Sequence, residues 1–470
     1  MSVRLHDTLS GETRPLEPLR PDRLGVYSCG PTVYGPAHIG NFRSFLFADL
    51  LVRHLRWRGH TVTWVMNITD IDDKIIRGAA ATGETIETLA TRYLDAFLAD
   101  AAALGMATPD VMPRATQHID EMVALIETLL AREHAYRTDD GSIFFRISSW
   151  PAYGRLARLD PQGLRVGERV EADEYDKDDV RDFALWKGPK PGEPSWETAI
   201  GHGRPGWHIE CSAMSMAHLG RSFDIHTGGV DLIFPHHEDE IAQSEAATGQ
   251  TFVRTWLHCA HLQMAGSKMA KSTGNIARVG DLLAAGVSPR ALRLALISVH
   301  YRAGLNHSDD SLAAAAAAVD RLDTAVAALG SYAEKGPDDP MLPETLTTAR
   351  EAFGAALDDD LNVSAGLAAV FDLVRDLNRR VERRSLSNED AGRALETLHD
   401  LDRVLGILPE ATDVLEPPIA ALLADRAAAR EARDFAASDR LRDELAGHGV
   451  TVEDTRDGQR WRRTVEAGRG

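Results

Sequence analysis

Cysteine is scarce. The 470 residues hold three, Cys29, Cys211 and Cys259. They are too few and too scattered for a disulfide framework, so a reducing, cytoplasmic setting is expected, with any working thiol acting as a thiolate or a ligand. No apolar run approaches the ~20 residues a membrane-spanning helix needs, and MSVRLHDTLSGETRPL lacks a signal peptide's apolar core. No membrane partner is expected. Positive charge is also short: 52 Lys and Arg stand against 71 Asp and Glu, a net charge of −19. That excludes broad electrostatic coating of nucleic acid, but not recognition of one folded RNA by a local basic patch. The length exceeds what one core supports, so about two to four domains are expected.

What the chain does have begins near its start. Leu24 to Ser28 alternates like a short buried strand. Cys29-Gly30-Pro31 and Gly35-Pro36 break it, and His38-Ile39-Gly40-Asn41 opens NFRSFLFADLLVRHL, apolar at helical spacing. Strand, tight turn and helix in this order form the place where an open parallel sheet binds a nucleotide, with phosphates at the positive end of a helix. A Cys at the strand end and a His at the helix start would face that crevice; a small buried hydrophobe is the alternative for Cys29.

Residues 61–68 read as a second buried strand, ending in Thr69-Asp70-Ile71-Asp72-Asp73-Lys74. Acids there suit a ligand site, although Asp70 also suits a helix N-cap. Helices are expected over 84–103 and 116–134, a strand over 141–148, and charged loop over 152–195. Residues 76–205 thus form a connective insertion between halves 1–75 and 206–287 of one α/β domain, with no second α/β pattern for an editing domain. In the second half, Gly206 to Cys211 leads into a helix. A strand over 223–226 ends at Thr227-Gly228-Gly229-Val230-Asp231, Pro235 to Glu240 opens another helix, and residues 255–264 look strand-like. The loop 266–275 carries Lys268 and Lys271 and suits a mobile phosphate clamp. Residues 288–408 are Ala-, Leu- and Arg-rich with helical spacing, and a linker then precedes a small module over 419–470. That module shows one helix over 426–446, a strand over 449–452, an Asp457-Gly458 hairpin turn and a basic end. The basic end points to nucleic acid; a solvated charged face is the alternative.

Two constellations carry chemistry. Cys29, Cys211, His236 and Glu240 offer two sulfurs, a nitrogen and an oxygen, and His236 and Glu240 share a helix face at i, i+4. The cysteines are 182 positions apart (211 − 29), so this is no zinc-finger spacing, and a core Cys pair beside a surface His/Glu stays open. His38 and Asn41 with Lys268 and Lys271 would make an anion clamp for charge growing on a phosphate. An ordinary surface lysine pair is the alternative.

Taken in order, these segments resemble the cysteinyl-tRNA synthetases, which are class I aminoacyl-tRNA synthetases. His38-Ile39-Gly40-Asn41 looks like their HIGH signature and Lys268-Met269-Ala270-Lys271-Ser272 like KMSKS. CGPTVY, NITDIDDK, DFALWK, GEPSW, GRPGWHIECSAM, DIHTGGVDL, FPHHEDEIAQS and HYRAGLNHS are similar to further segments, eight in the right order. The resemblance implies a Rossmann-type α/β catalytic domain, an all-α helical bundle with stem contacts over 288–408, and a small mixed α+β anticodon-binding module over 419–470. It implies cysteine activation by ATP to cysteinyl adenylate, release of pyrophosphate, and transfer to the 3′ end of tRNA(Cys). It places one Zn2+ on Cys29, Cys211, His236 and Glu240, where it would select the substrate's thiolate over serine's hydroxyl and make editing unnecessary. ATP with Mg2+ would lie over His38, Gly40 and Asn41, clamped by Lys268 and Lys271. L-cysteine would meet Cys29, Thr69, Trp207, His226 and Asp231, the last at its amine. Arg430, Phe435, Asp439 and Asp454 fall where the family reads anticodon bases, with Phe435 in place of a stacking Trp. A monomer is implied. Asn41 and Ala270 depart from the two signatures, which implies slower adenylation or altered inhibitor response, not inactivity. The competing readings are a cysteine-adenylating amide ligase of the mycothiol-synthesis type and a non-charging RNA-binding paralogue. The first lacks an anticodon module and the fourth, carboxylate ligand. The intact Cys29, His38, Asp231, Lys268 and Lys271 oppose the second.

Overall fold

Four parallel strands lie at the centre of the catalytic part, in the order Val253–Cys259, Phe223–Gly229, Arg23–Ser28, Thr61–Met66. They belong to a computed structural model that describes residues 2–159, 182–264, 267–268, 277–409, 417–455 and 458–463. The helix Ile39–Trp57 connects one pair of strands and Glu238–Thr248 the other. The two halves of the sequence therefore meet at the middle of the sheet, where the strand order reverses and a crevice opens at the carboxyl ends. Val26, Tyr27, Trp64, Val65 and Met66 are fully buried, the two-sided burial that makes parallel strands read as continuous apolar runs.

The sequence-based expectations for the insertion need correction. Helices occupy Asp73–Thr82, Ile86–Ala103 and Ile119–Ala131, and then a five-stranded antiparallel sheet forms. Its order is Ala135–Arg137, Ile143–Phe145, Phe183–Lys187, Gly201–Pro205, Trp196–Thr198. Phe183–Lys187, expected as part of a loop, is the sheet's middle strand with every residue buried. A strand covered on both faces shows no period-two alternation, which is why it reads as featureless. Most of the acidic run before it lies outside the described residues. Asp70 is not an N-cap: it accepts hydrogen bonds from the Thr116 amide and hydroxyl at 3.0 and 2.7 Å. Asp72 caps the helix Asp73–Thr82 instead.

One apolar cluster runs through both the central sheet and the insertion. It joins Tyr27, Val65, Met122, Ile126, Phe145, Leu185, Met214 and Trp256. Residues 1–319, 341–375 and 397–407 accordingly form one compact unit, and residues 320–340, 376–396 and 408–470 a second. In the second unit the expected single helix is two, Pro417–Glu431 and Phe435–Gly447. The chain turns at Arg433, φ 59°, and Asp434 caps the second helix by accepting from the Ala437 amide. The strands Val450–Thr455 and Gly458–Arg463 pair antiparallel, and Ile419, Leu423, Leu445, Val450 and Val452 make a small core. Among the described residues no helix is long and apolar enough to cross a membrane.

Inside the first unit, Arg293 and Asp49 are almost wholly buried and 2.6 Å apart. Arg293 also donates to the Leu104, Gly105 and Leu405 carbonyls, and Asp49 accepts from Arg53 and the Ala107 amide. Asp49→Ala should cost about 3–5 kcal/mol, because it strands a buried guanidinium. Urea unfolding of the first unit checks this; a loss below about 1 kcal/mol would show that the pair is not desolvated as described.

Candidate active site and metal centre

Cys29 follows directly on the strand Arg23–Ser28. Its amide donates to the Thr227 carbonyl at 3.2 Å, and the Gly30 amide donates to Asn67 Oδ1 at 2.9 Å. A side chain at Gly30 would collide with the Asn67 carbonyl oxygen, so the turn is built on close backbone approach. The helix Trp207–Leu219 packs across the neighbouring strands and brings Cys211 to the same point. The two sulfurs are 3.9 Å apart. Past the strand Phe223–Gly229 the chain kinks at Phe234 (φ −138°, ψ 132°) before the helix Glu238–Thr248. His236 Nε2 lies 3.1 Å from Glu240 Oε1, as the i, i+4 spacing requires. Donor atoms of Cys29, Cys211, His236 and Glu240 all fall within 4.8 Å of one another.

A second, overlapping group meets the same limit: Cys29, His226, His237 and Glu240. His237 Nε2 is 3.3 Å from Cys29 Sγ, and His226 Nε2 is 3.0 Å from Glu240 Oε2. His237 Nδ1 lies 2.8 Å from His258 Nε2, whose Nδ1 lies 2.7 Å from the Thr8 hydroxyl. Burial pushes the Cys29 thiol and the Glu240 carboxyl far above their ordinary ranges; for Cys29, Cys211 and Glu240 add to it. Burial pushes His236 and His237 far down, and His226 and His258 to about 3. Without a cation these groups prefer to be neutral. The imidazoles hold their lone pairs ready, and a dication would compensate the thiolates and carboxylate it deprotonates.

Around this cluster, Trp207 stacks on the His236 ring with centroids 4.2 Å apart. Thr69 is buried; its hydroxyl donates to Glu210 Oε2 at 3.1 Å and accepts from Asn67 Nδ2 at 3.1 Å. Asp231 stands exposed beyond the strand Phe223–Gly229, 3.9 Å from His261 Nδ1. His38 is the N-cap of Ile39–Trp57 and forms a reciprocal capping box with Asn41, with Gly40 between them in the first turn. The amide of Ile39 donates to the Ala277 carbonyl at 3.0 Å, so the chain leaving the lysine loop returns to the start of this helix. The loop leaves from the short strand Ser267–Lys268; Ala270 and Lys271 lie outside the described residues.

The anticodon candidates sit in the second unit. Phe435 is 59% exposed at the start of its helix. Asp439 pairs with Arg442 at 3.4 Å. Asp454 is held by Arg426, Arg430 and Arg442 at 2.8–3.0 Å. The sequence reading missed His237 and the pair Thr8 and His258. His237 is i, i+3 from Glu240, a spacing as compatible with one face as that of His236. Thr8 and His258 meet across 250 residues, for which no local pattern exists.

Comparison with known proteins fits this geometry. The family model for the tRNA synthetases class I (C) catalytic domain matches residues 15–317, the DALR domain 352–409, and the cysteinyl-tRNA ligase anticodon binding domain 412–462. The cysteine–tRNA ligase of Koribacter versatilis is 44% identical, and that of Solibacter usitatus 46%, each over 98% of this chain and all of the relative. A solved structure, Mycobacterium tuberculosis methionyl-tRNA synthetase in complex with methionyl-adenylate, is similar at TM-score 0.58 and 18% identity. That match covers 82% of this chain and 90% of the other, and shows a shared fold. With its central crevice, its cysteine pair and relatives aligned from end to end, the chain belongs to the cysteine–tRNA ligase family of class I synthetases.

Proposed function

We propose that this ligase, which charges tRNA with cysteine, selects its amino acid with one Zn2+ held by Cys29, Cys211, His236 and Glu240. The observation that carries the reading is the 3.9 Å sulfur pair with an imidazole and a carboxylate in reach. A tetrahedral ion with Zn–S bonds of about 2.3 Å separates two sulfurs by about 3.8 Å. When bound, the ion supplies a soft Lewis acid that prefers cysteine's thiolate to serine's hydroxyl. Discrimination of this kind needs no editing domain.

The chain's own groups do the rest. Cys29 is only half-buried, so the cluster is open on one side, and Trp207 over His236 walls it. Thr69 donates its hydroxyl hydrogen bond to Glu210 and accepts one from Asn67, which leaves one lone pair for the substrate's ammonium, with Asp231 as the counter-charge. The positive helix end at His38, Gly40 and Asn41 meets the phosphates of ATP–Mg2+, and Lys268 and Lys271 close over them. The cysteine carboxylate then attacks the α-phosphorus and pyrophosphate leaves with its electron pair. Next, a hydroxyl of the tRNA's 3′-terminal ribose attacks the carbonyl carbon of cysteinyl adenylate and AMP leaves. In the second unit Phe435 offers a face for base stacking, with Asp439 one turn further along its helix and Arg430 in the helix before it. Asp454, engaged by three arginines, orders Arg430. A cytoplasmic monomer completes the proposal; the three cysteines, all free, support a reducing setting. Glu240 in the donor group and the matched anticodon domain both favour tRNA charging over the amide ligase.

Cys211→Ser should lower bound zinc and cut cysteine-dependent pyrophosphate exchange by at least about 100-fold, judged by the usual sensitivity of metal sites to their ligands. Retention of zinc and of the cysteine-over-serine ratio in that variant would refute the donor set. Asn41 spends its side chain on the helix cap. Asn41→His should therefore speed pyrophosphate exchange several-fold, and Ala270→Ser should do so less; identical rates would show that neither departure matters.

A further inference from the structure

Two turns along the helix from Cys211, a different pair of side chains meets. His218 lies in the last turn of Trp207–Leu219, and His118 sits at the entry to Ile119–Ala131. Their Nε2 atoms are 3.1 Å apart and their rings meet edge to face. His118 Nδ1 lies 2.9 Å from the Arg114 carbonyl oxygen. A carbonyl oxygen only accepts, so Nδ1 carries the hydrogen and, in the neutral ring, Nε2 presents a lone pair toward His218. A backbone carbonyl fixing the tautomer through the far nitrogen is how metal-binding imidazoles are commonly oriented. His218 is exposed and His118 half-buried, so ions in solution can reach both. Partial burial and the neighbouring His118 hold His218 below its ordinary range, and the negative charge of Glu121 opposes them.

We infer that His118 and His218 form a second metal site, separate from the sulfur cluster, for an imidazole-preferring divalent ion such as Zn2+, Ni2+ or Cu2+. Metal–nitrogen bonds of about 2.0–2.1 Å place two ligand nitrogens about 2.9 Å apart at a right angle and about 3.4 Å apart at the tetrahedral angle. The observed 3.1 Å lies between these. Without the ion, His218 donates its Nε2 hydrogen to His118. With the ion, both Nε2 lone pairs face the metal and the His218 hydrogen sits on Nδ1, so the neutral charge of each ring is kept. Water molecules from the open side, where His218 is exposed, would complete the coordination shell. The ion would clamp the insertion helix to the helix that bears Cys211.

The test uses the full-length protein as purified, with its resident metal measured first. Nickel is titrated by calorimetry into the wild type, His118→Gln and His218→Gln, and thermal unfolding is followed with and without Ni2+. The wild type should bind one Ni2+ per chain beyond the resident metal, with a raised unfolding temperature. Each variant should lose at least about tenfold in affinity, or 1.4 kcal/mol, and lose the thermal shift, with resident metal and charging rate unchanged. No nickel uptake by the wild type would overturn the inference and leave the pair a plain imidazole hydrogen bond. Equal uptake by both variants would overturn it as well. Neither result bears on Cys29 and Cys211, which are read separately through the resident metal.

Discussion

Six side chains able to bind a metal, Cys29, Cys211, His226, His236, His237 and Glu240, crowd around one strand end, all of them buried except the half-buried Cys29. Such a set is costly to bury. Unpaired thiolates and carboxylates are disfavoured in a dry interior, and burial shifts Cys29, Glu240 and the three histidines toward their neutral forms. The fold holds them there nonetheless, and the surroundings are arranged to allow it. Gly30 lets the turn press against the Asn67 carbonyl. Gly228 leaves room for His237, whose ring carbon would lie 2.6 Å from any Cβ there. A cation is the one partner that would satisfy the whole cluster together.

The sheet and the insertion cooperate in this. Because strand order reverses between Arg23–Ser28 and Phe223–Gly229, residues from the two halves of the sequence reach the same crevice. The helix with Cys211 is then packed from behind by Ile119–Ala131 of the insertion, through the shared apolar cluster. Lys187 and Arg204, on strands of the insertion's sheet, both pair with Asp73 at the start of the helix that follows the Thr69–Asp72 segment. These ion pairs tie the segment that follows Thr69 to the insertion's sheet.

The sequence made parts of this legible for physical reasons. Alternation ending in a breaker cluster marked the strand before Cys29, and i, i+4 spacing joined His236 to Glu240. The cysteine pair was invisible to spacing, since its 182-residue separation is closed only by the sheet; the resemblance to a family supplied it. Phe183–Lys187 was hidden because burial on both faces removes periodicity. The break at Arg433 was hidden because its neighbours are good helix formers, so only Asp434 as an N-cap marked it. Whether His236 or His237 would face a metal is not a matter of pattern at all, since both spacings fit one helix face.

That last choice bears most directly on the central claim. X-ray absorption at the zinc edge of the metal-loaded protein, before and after L-cysteine, distinguishes the two overlapping donor groups. The expected result is two sulfur neighbours at about 2.3 Å with one nitrogen and one oxygen, rising to three sulfurs with cysteine and unchanged with serine. A single sulfur among nitrogens, or no new sulfur on adding cysteine, would contradict thiolate selection by a metal at Cys29 and Cys211.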